Sequence, residues 1–168
     1  MLYQDQVRKD ILYWLENFVE KPHPALGGWA PCPYARRARL ENDFEIRLGL
    51  APIHDLIKIS KHGLGGKSVI IIVYEADQVS HESFSNDIEI ANEKFLLPNN
   101  LLALEDHPDD VEMVNGVCMN QCTYALALVQ NLDDLNTKAH QMANKGFYDT
   151  WPEAYLKPLF KHRKDPRT

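Results

Sequence analysis

One cysteine stands in a proline-rich segment that favours a reactive thiol. Residues 21–40 read KPHPALGGWAPCPYARRARL, so prolines flank Cys32 on both sides. These prolines end any preceding helix, and Pro33 suits the first turn of the next one. The N–H groups and the dipole of a helix N-terminus favour an anion, so we expect a lowered pKa at Cys32. The pattern predicts a nucleophile, a redox thiol or a metal or haem ligand; a small residue packed in a rigid turn is the alternative.

Arginines follow this cysteine within a predicted short basic helix, residues 33–41. Arg36 lies about one helical turn beyond Cys32, and Arg37 is next to it. Together with the helix N-terminus, both side chains could bind an anion and lower the pKa of the thiol. We therefore predict Arg36 and Arg37 as substrate-binding residues. For Arg39 we favour an ion pair with a surface acid.

A second candidate segment, His107-Pro108-Asp109-Asp110, follows a predicted strand. Loops after strands often carry functional side chains. We predict His107 and Asp110 as acid–base groups and Asp109 as a substrate-binding group. A histidine and an aspartate with one residue between them can also bind a metal. We predict no metal site, because an aspartate that caps a turn explains the same pattern.

The remaining cysteines, Cys118 and Cys122, are separated by three residues and have no second pair for a zinc site. They could form a redox pair or resolve an oxidised Cys32. Packing beside the strand that follows them is the favoured interpretation.

Composition and charge narrow the class of protein. The 168 residues suit one domain, and 45% hydrophobic and 25% charged residues are typical of a globular protein. Three cysteines are too few for a disulfide scaffold, and residues 1–10 are polar, so we expect a cytoplasmic protein without a signal peptide. Residues 157–168 hold five of the 18 basic residues, which leaves an acidic body that is unlike a nucleic-acid-binding protein. No apolar run approaches the roughly 18 residues of a membrane span.

Periodicity predicts an α+β fold with a single mixed sheet of about four strands, ferredoxin-like in spirit, with helices packed on it. Residues 1–156 form the predicted domain and residues 157–168 a basic C-terminal tail. Ser80 and Asn131 are predicted helix N-caps, and Asn115-Gly116 a turn. Four strands are predicted, at residues 43–50, 69–74, 101–105 and 123–129. Two helices are predicted at residues 4–20 and 33–41, and further helices are predicted to begin near residues 52, 81, 132 and 151.

Two short motifs resemble an uncharacterised bacterial family, a domain of unknown function. Trp14-Leu15-Glu16 leads to Cys32-Pro33-Tyr34-Ala35, where members of that family carry Cys-Pro-Phe-Ala. Pro108-Asp109-Asp110-Val111 resembles the family's Pro-Asp-Asp segment before its last strand. The chain departs from the family in two places, because Tyr34 replaces phenylalanine and residues 115–121 replace a polar Asn-Arg-Ser-Pro-type stretch. The resemblance implies no activity, since the family has no established one.

The candidate residues together predict a cytosolic enzyme that uses Cys32 as a redox or nucleophilic thiol on a small anionic molecule. One alternative is a haem- or metal-dependent oxygenase, because residues 31–38 also resemble the Pro-Cys motif of haem enzymes that oxidise lysine nitrogen. The other alternative is a non-catalytic binding module or subunit. A small-molecule ligand is the predicted partner, nucleic acid and membrane are not expected, and cofactor and oligomeric state stay unassigned. An active site requires that Cys32 lie near His107 and Asp110.

Overall fold

In the computed structural model, which describes residues 3–168, a four-stranded mixed sheet forms the centre of the molecule. Residues 1 and 2 of the predicted domain lie outside the described range. The six strands are β1 (Phe44–Leu48), β2 (Val69–Tyr74), β3 (Leu101–Asp106), β4 (Met113–Val114), β5 (Val117–Cys118) and β6 (Ala125–Asn131). The central sheet has the order β1-β2-β6-β3, and β4 and β5 form a separate hairpin. β1 and β2 are parallel, whereas β6 is antiparallel to both β2 and β3.

Helices cover both faces of this sheet, which confirms the predicted α+β class. The α-helices are α1 (Tyr3–Trp14), α2 (Ala35–Leu40), α3 (Pro52–His62), α4 (His81–Ala91), α5 (Leu132–Ala143) and α6 (Glu153–Leu159). π-helical segments extend α1 over Leu15–Val19 and α4 over Asn92–Leu96, and 3-10 turns form at Pro24–Leu26 and Leu97–Asn99. None of these helices is long and apolar enough to cross a membrane, as judged over residues 3–168.

The core explains why β2 is an unbroken apolar run. On one face, Ile70 and Ile72 pack with α3 and α4 through residues such as Leu56 and Phe84. On the other face, Ile71 joins the apolar side of α1. Since successive side chains of a strand point to opposite faces, a strand covered on both sides must be apolar at every position.

Local signals position the ends of several elements as predicted. The side chain of Ser80 accepts a hydrogen bond from the Ser83 N–H at 3.2 Å and caps α4. Asn131 caps α5 in the same way, accepting from the Asp134 N–H at 3.0 Å. The β4–β5 turn places Asn115 at φ 51° and Gly116 at φ 83°, a left-handed conformation that these two residue types tolerate.

A third apolar cluster lies at the C-terminal end of the chain. Phe147, Trp151 and Phe160 are buried there against Leu26. Residues 157–168, predicted as a basic tail, contain the end of α6, and His162 in this segment lies 3.0 Å from Glu89 of α4. This segment therefore packs against the body of the protein.

Candidate functional site

A cleft of about 510 Å³ lies around the outer edge of β3, and of the predicted site residues it is lined by Cys32. β3 is an edge strand because it pairs only with β6. Leu104 and Asp106 of β3, Glu89 of α4, Tyr155 of α6 and Cys32 are among the lining residues. The cleft thus joins segments that are far apart in the chain.

Cys32 is exposed to solvent in this cleft, although protein atoms surround it on most sides. The surrounding protein atoms displace water from the sulfur and so raise the pKa of the Cys32 thiol. The backbone N–H groups of Tyr34 and Ala35 and the charges of Lys138 and Arg163 oppose this rise. The expected lowering of this pKa is therefore wrong. α2 begins only at Ala35, and its first turn does not compensate for the loss of water around the sulfur.

The cations that act on Cys32 come from distant parts of the chain. Lys138 lies 5.3 Å from the centre of the Tyr34 ring, and Arg163 lies 5.2 Å from the centre of the Phe160 ring. The Nε atom of Arg163 is buried without a hydrogen-bond partner, and burial lowers the pKa of its guanidinium. Its charge reaches the sulfur at Cys32 and is not neutralised by a carboxylate among residues 3–168.

Arg36 and Arg37, the predicted substrate-binding residues, are both exposed on α2. Arg37 donates to Glu41 at 2.9 Å, an exposed pair one helical turn apart. Arg39 binds Glu20 through two hydrogen bonds of 2.7 and 3.0 Å, as expected for an arginine that pairs with an acid. This bidentate pair fastens α2 to the π-helical end of the first helix.

His107 is buried, with 1% of its surface exposed, and both of its ring nitrogens are engaged. Nδ1 accepts from the Asp109 N–H at 3.1 Å, and Nε2 donates to the Val79 carbonyl at 2.7 Å. Asp109 itself points to solvent, with 76% of its side chain exposed. The imidazole therefore holds the loop after β3 in place and has no free nitrogen for proton transfer in this conformation.

Two carboxyl groups that the sequence did not single out line the acidic end of the cleft. Asp106 is 8% exposed, and its Oδ1 is buried without a hydrogen-bond partner. Burial and the charge of Asp110 raise the pKa of Asp106 to about 7. Burial and a hydrogen bond with Asp110 likewise raise the pKa of Glu112 to about 7. The pKa of Tyr155 is also raised, chiefly because the residue is buried and then because of the charge of Glu112.

Asp110 stands beside this end of the cleft and meets two residues from other elements. Its Oδ2 lies 3.5 Å from the Nε2 of His81, the first residue of α4. Glu105 of β3 completes the group, with potential ligand atoms of all three residues within 4.8 Å of one another. The Ser85 hydroxyl donates to Glu105 at 2.8 Å.

The structure thus brings only part of the predicted site together. Cys32 shares one cleft with Asp106 and Glu112, which flank the predicted segment His107–Asp110, but His107 is engaged elsewhere. The sequence did carry one signal for Asp106, because the apolar run of β3 ends in two acids. Lys138 and Arg163 gave no local signal, since only the tertiary fold places them near Cys32.

Comparison of the chain with protein-family models, with curated proteins and with solved structures finds no match. The resemblance of Cys32-Pro33-Tyr34-Ala35 and of the Pro-Asp-Asp segment to an uncharacterised bacterial family therefore stays a prediction.

Proposed function

We propose that the protein is a cytoplasmic enzyme that uses Cys32 as a nucleophilic or redox thiol on a small anionic molecule held in the cleft. One observation carries the proposal. Cys32 opens into a cleft of about 510 Å³ while the positive charges of Lys138 and Arg163 act on its sulfur. A thiol with both access and positive surroundings is the arrangement that nucleophilic cysteines use.

The positive charges explain why the ligand should be an anion. Arg163 is partly buried, so the screening of its charge by water is reduced. A carboxylate- or phosphate-bearing molecule that enters the cleft is attracted to this end, and its electrophilic atom is brought towards the sulfur. Arg36 and Arg37 are not part of this proposal, because both are exposed and Arg37 already binds Glu41.

The raised pKa of Cys32 sets a condition on the chemistry. The thiolate is the attacking form, so the S–H proton must leave before a bond to sulfur forms. At neutral pH the thiol of the unliganded protein is protonated, and reaction rates at Cys32 should rise with pH through the alkaline range. A cytoplasmic location agrees with three free cysteines, since a reducing compartment keeps thiols unpaired.

Two alkylating reagents of similar size and different charge test the proposal. Iodoacetate carries a negative charge and iodoacetamide carries none. The rate with iodoacetate divided by the rate with iodoacetamide therefore reports the electrostatic potential at each thiol, and positive charge raises this ratio. We expect this ratio to be about threefold or more higher at Cys32 than at Cys118, measured by peptide mass spectrometry. Arg163→Gln and Lys138→Gln should each lower the ratio at Cys32, whereas Arg36→Gln, at an exposed arginine, should leave it unchanged.

Equal ratios at Cys32 and Cys118, unaffected by both substitutions, would overturn the proposal. Of the alternatives, a non-catalytic binding module would then be favoured by the engaged nitrogens of His107 and the raised pKa of Cys32. A binding module should keep its affinity for a cleft ligand in Cys32→Ser and convert no ligand in either form.

A further inference from the structure

We propose that His81, Glu105 and Asp110 form a binding site for a divalent cation of the Mn²⁺ or Zn²⁺ class. One imidazole nitrogen and two carboxylate oxygens are ligands that such ions accept. The ligand atoms all lie within 4.8 Å of one another, and His81 Nε2 is 3.5 Å from Asp110 Oδ2. Around an ion with ligand bonds of about 2.1 Å, tetrahedral ligands stand roughly 3.4 Å apart, so small side-chain movements complete the site.

The three residues are positioned by other contacts, so the site exists before an ion enters. His81 opens α4 directly after the capping residue Ser80. Glu105 is held by the Ser85 hydroxyl at 2.8 Å. The backbone of Asp110 accepts from the Asn120 side chain at 2.6 Å, and its N–H donates to the His107 carbonyl at 3.0 Å.

The negative charge around these residues favours the binding of a cation. Asp106 directly follows Glu105 and is buried, and Glu112 stands two residues after Asp110 and is half-buried. Across residues 3–168, the ion pairs with lysine or arginine include neither these two acids nor Glu105 and Asp110. Partly buried carboxylates without a counter-charge are unfavourable, and a divalent ion relieves the repulsion among them.

An unpaired carboxyl oxygen lies near one ligand of the site. The Oδ1 atom of Asp106, a residue that is 8% exposed, is buried and has no hydrogen-bond partner among the described residues. Asp106 follows Glu105 in β3, so the two side chains point to opposite faces of the strand, and Asp106 is close to the site through Asp110, whose charge acts on it. Asp106 is not itself an ion ligand, but it adds to the negative charge around Asp110 that a cation would offset.

The chain also provides a matched comparison. Glu89, Glu93 and His162 bring ligand atoms within the same 4.8 Å. There, however, Lys161 and His162 already bind Glu89, and the pKa of Glu89 is lowered. That cluster has its counter-charges and should not need an ion.

Binding of Mn²⁺ to the metal-depleted protein tests the site, because Mn²⁺ prefers oxygen and imidazole ligands and leaves thiols such as Cys32 free. Electron paramagnetic resonance counts free and bound Mn²⁺. We expect one saturable site, with affinity at least tenfold lower in Asp110→Asn and in His81→Gln. The control Glu93→Gln, in the second cluster, should bind as the unmodified chain does.

The absence of saturable Mn²⁺ binding at 1 mM or so would overturn the proposal, and so would binding that survives both substitutions. Should Asp110→Asn fail to fold, His81→Gln at the partly exposed start of α4 decides the question. The ¹⁵N shifts of the His81 ring, followed with Zn²⁺, provide a readout at the ligand itself. The outcome is independent of the reactivity of Cys32, so each proposal can fail alone.

Discussion

The side-chain amide of Asn92 forms two hydrogen bonds with the backbone of Ala103. Its Nδ2 donates to the Ala103 carbonyl at 3.0 Å, and its Oδ1 accepts from the Ala103 N–H at 2.8 Å. Both residues are buried. Asn92 therefore takes the place of a neighbouring strand at this point of the β3 edge, and it fixes one wall of the cleft.

Replacing this amide should destabilise the protein strongly. Asn92→Leu leaves the N–H and carbonyl of Ala103 buried and unpaired, so we expect a loss of about 2–4 kcal/mol in the free energy of unfolding. Urea titration followed by circular dichroism measures it. Asn99→Ala removes a comparable amide that donates to Phe95 at an exposed site, and it should change stability by less than about 1 kcal/mol. Equal losses in the free energy of unfolding for the two substitutions would show that the Asn92 hydrogen bonds stabilise the protein no more than an exposed one does.

A close approach of two residues limits what position 49 accepts. A Cβ atom built on Gly49 would stand 2.2 Å from the ring of Tyr74. That ring is held by a hydrogen bond from its hydroxyl to Asp55 at 3.1 Å and by an edge contact with Phe84, so it cannot retreat easily. We expect Gly49→Ala to destabilise the protein by about 2 kcal/mol or more.

A double-mutant cycle separates this clash from other effects. In a Tyr74→Leu background the added methyl group has space, so the further loss caused by Gly49→Ala should be less than half as large. An undiminished loss would place the strain in the backbone of position 49 rather than at the ring.

The pH dependence of stability should carry a contribution from Asp43. The Ser68 hydroxyl and N–H both donate to its carboxylate, and they lower the pKa of Asp43 below its ordinary value. A carboxyl group with a lowered pKa in the folded state stabilises the protein above its unfolded pKa, near 3.9. That contribution is lost as the pH falls through the folded pKa.

Ser68→Ala should therefore reduce stability by about 1 kcal/mol at pH 7, and the difference should shrink at pH values below about 3. Ser60→Ala is the matched control, because the Ser60 hydroxyl donates to the uncharged carbonyl of Ile57. Its effect should not vary with pH. A Ser68→Ala effect that is constant from pH 7 to acid would exclude the Asp43 contribution.

The three thiols should differ in reactivity towards a neutral reagent. Cys122 is 4% exposed, packs with the core face of α1, and burial raises its pKa to about 12. We expect iodoacetamide to modify Cys122 only when the protein unfolds, whereas Cys32 and the half-buried Cys118 react in the folded state. Mass spectrometry at rising urea concentration measures the extent of modification at each cysteine. Modification of Cys122 at the rate of Cys118 without urea would contradict the packing.

Much of the fold follows from local signals. The apolar run of β2 and the caps Ser80 and Asn131 predicted their elements, because strand alternation and capping depend on neighbours in the chain. β1 is shorter than predicted: it ends at Leu48, and the stretch to Leu50 leads into α3. The end of a strand depends on its partner strands, which the chain order does not reveal.

The candidate site was predicted less completely, for a physical reason. The proline-flanked Cys32 was a visible signal, and the structure exposes it in a cleft. The pKa of Cys32 is raised and not lowered, because the loss of water around the sulfur outweighs the nearby backbone dipoles, and this loss is set by the tertiary fold. Arg163 acts on Cys32 only because the tertiary fold brings the two residues together, so no spacing pattern in the sequence could predict this effect.

The position of α1 has a consequence for how the chain is made. Val7 and Ile11 at the start of the chain bury their side chains against residues of later strands, including Val73 and Leu126. During synthesis from the N-terminus, the sheet surface that this helix covers is incomplete until β6 has left the ribosome, since residues of β1, β2 and β6 all contribute to it. α1 is thus made before the strands that it packs on, and its apolar face lacks its complete cover until the last of those strands has been made.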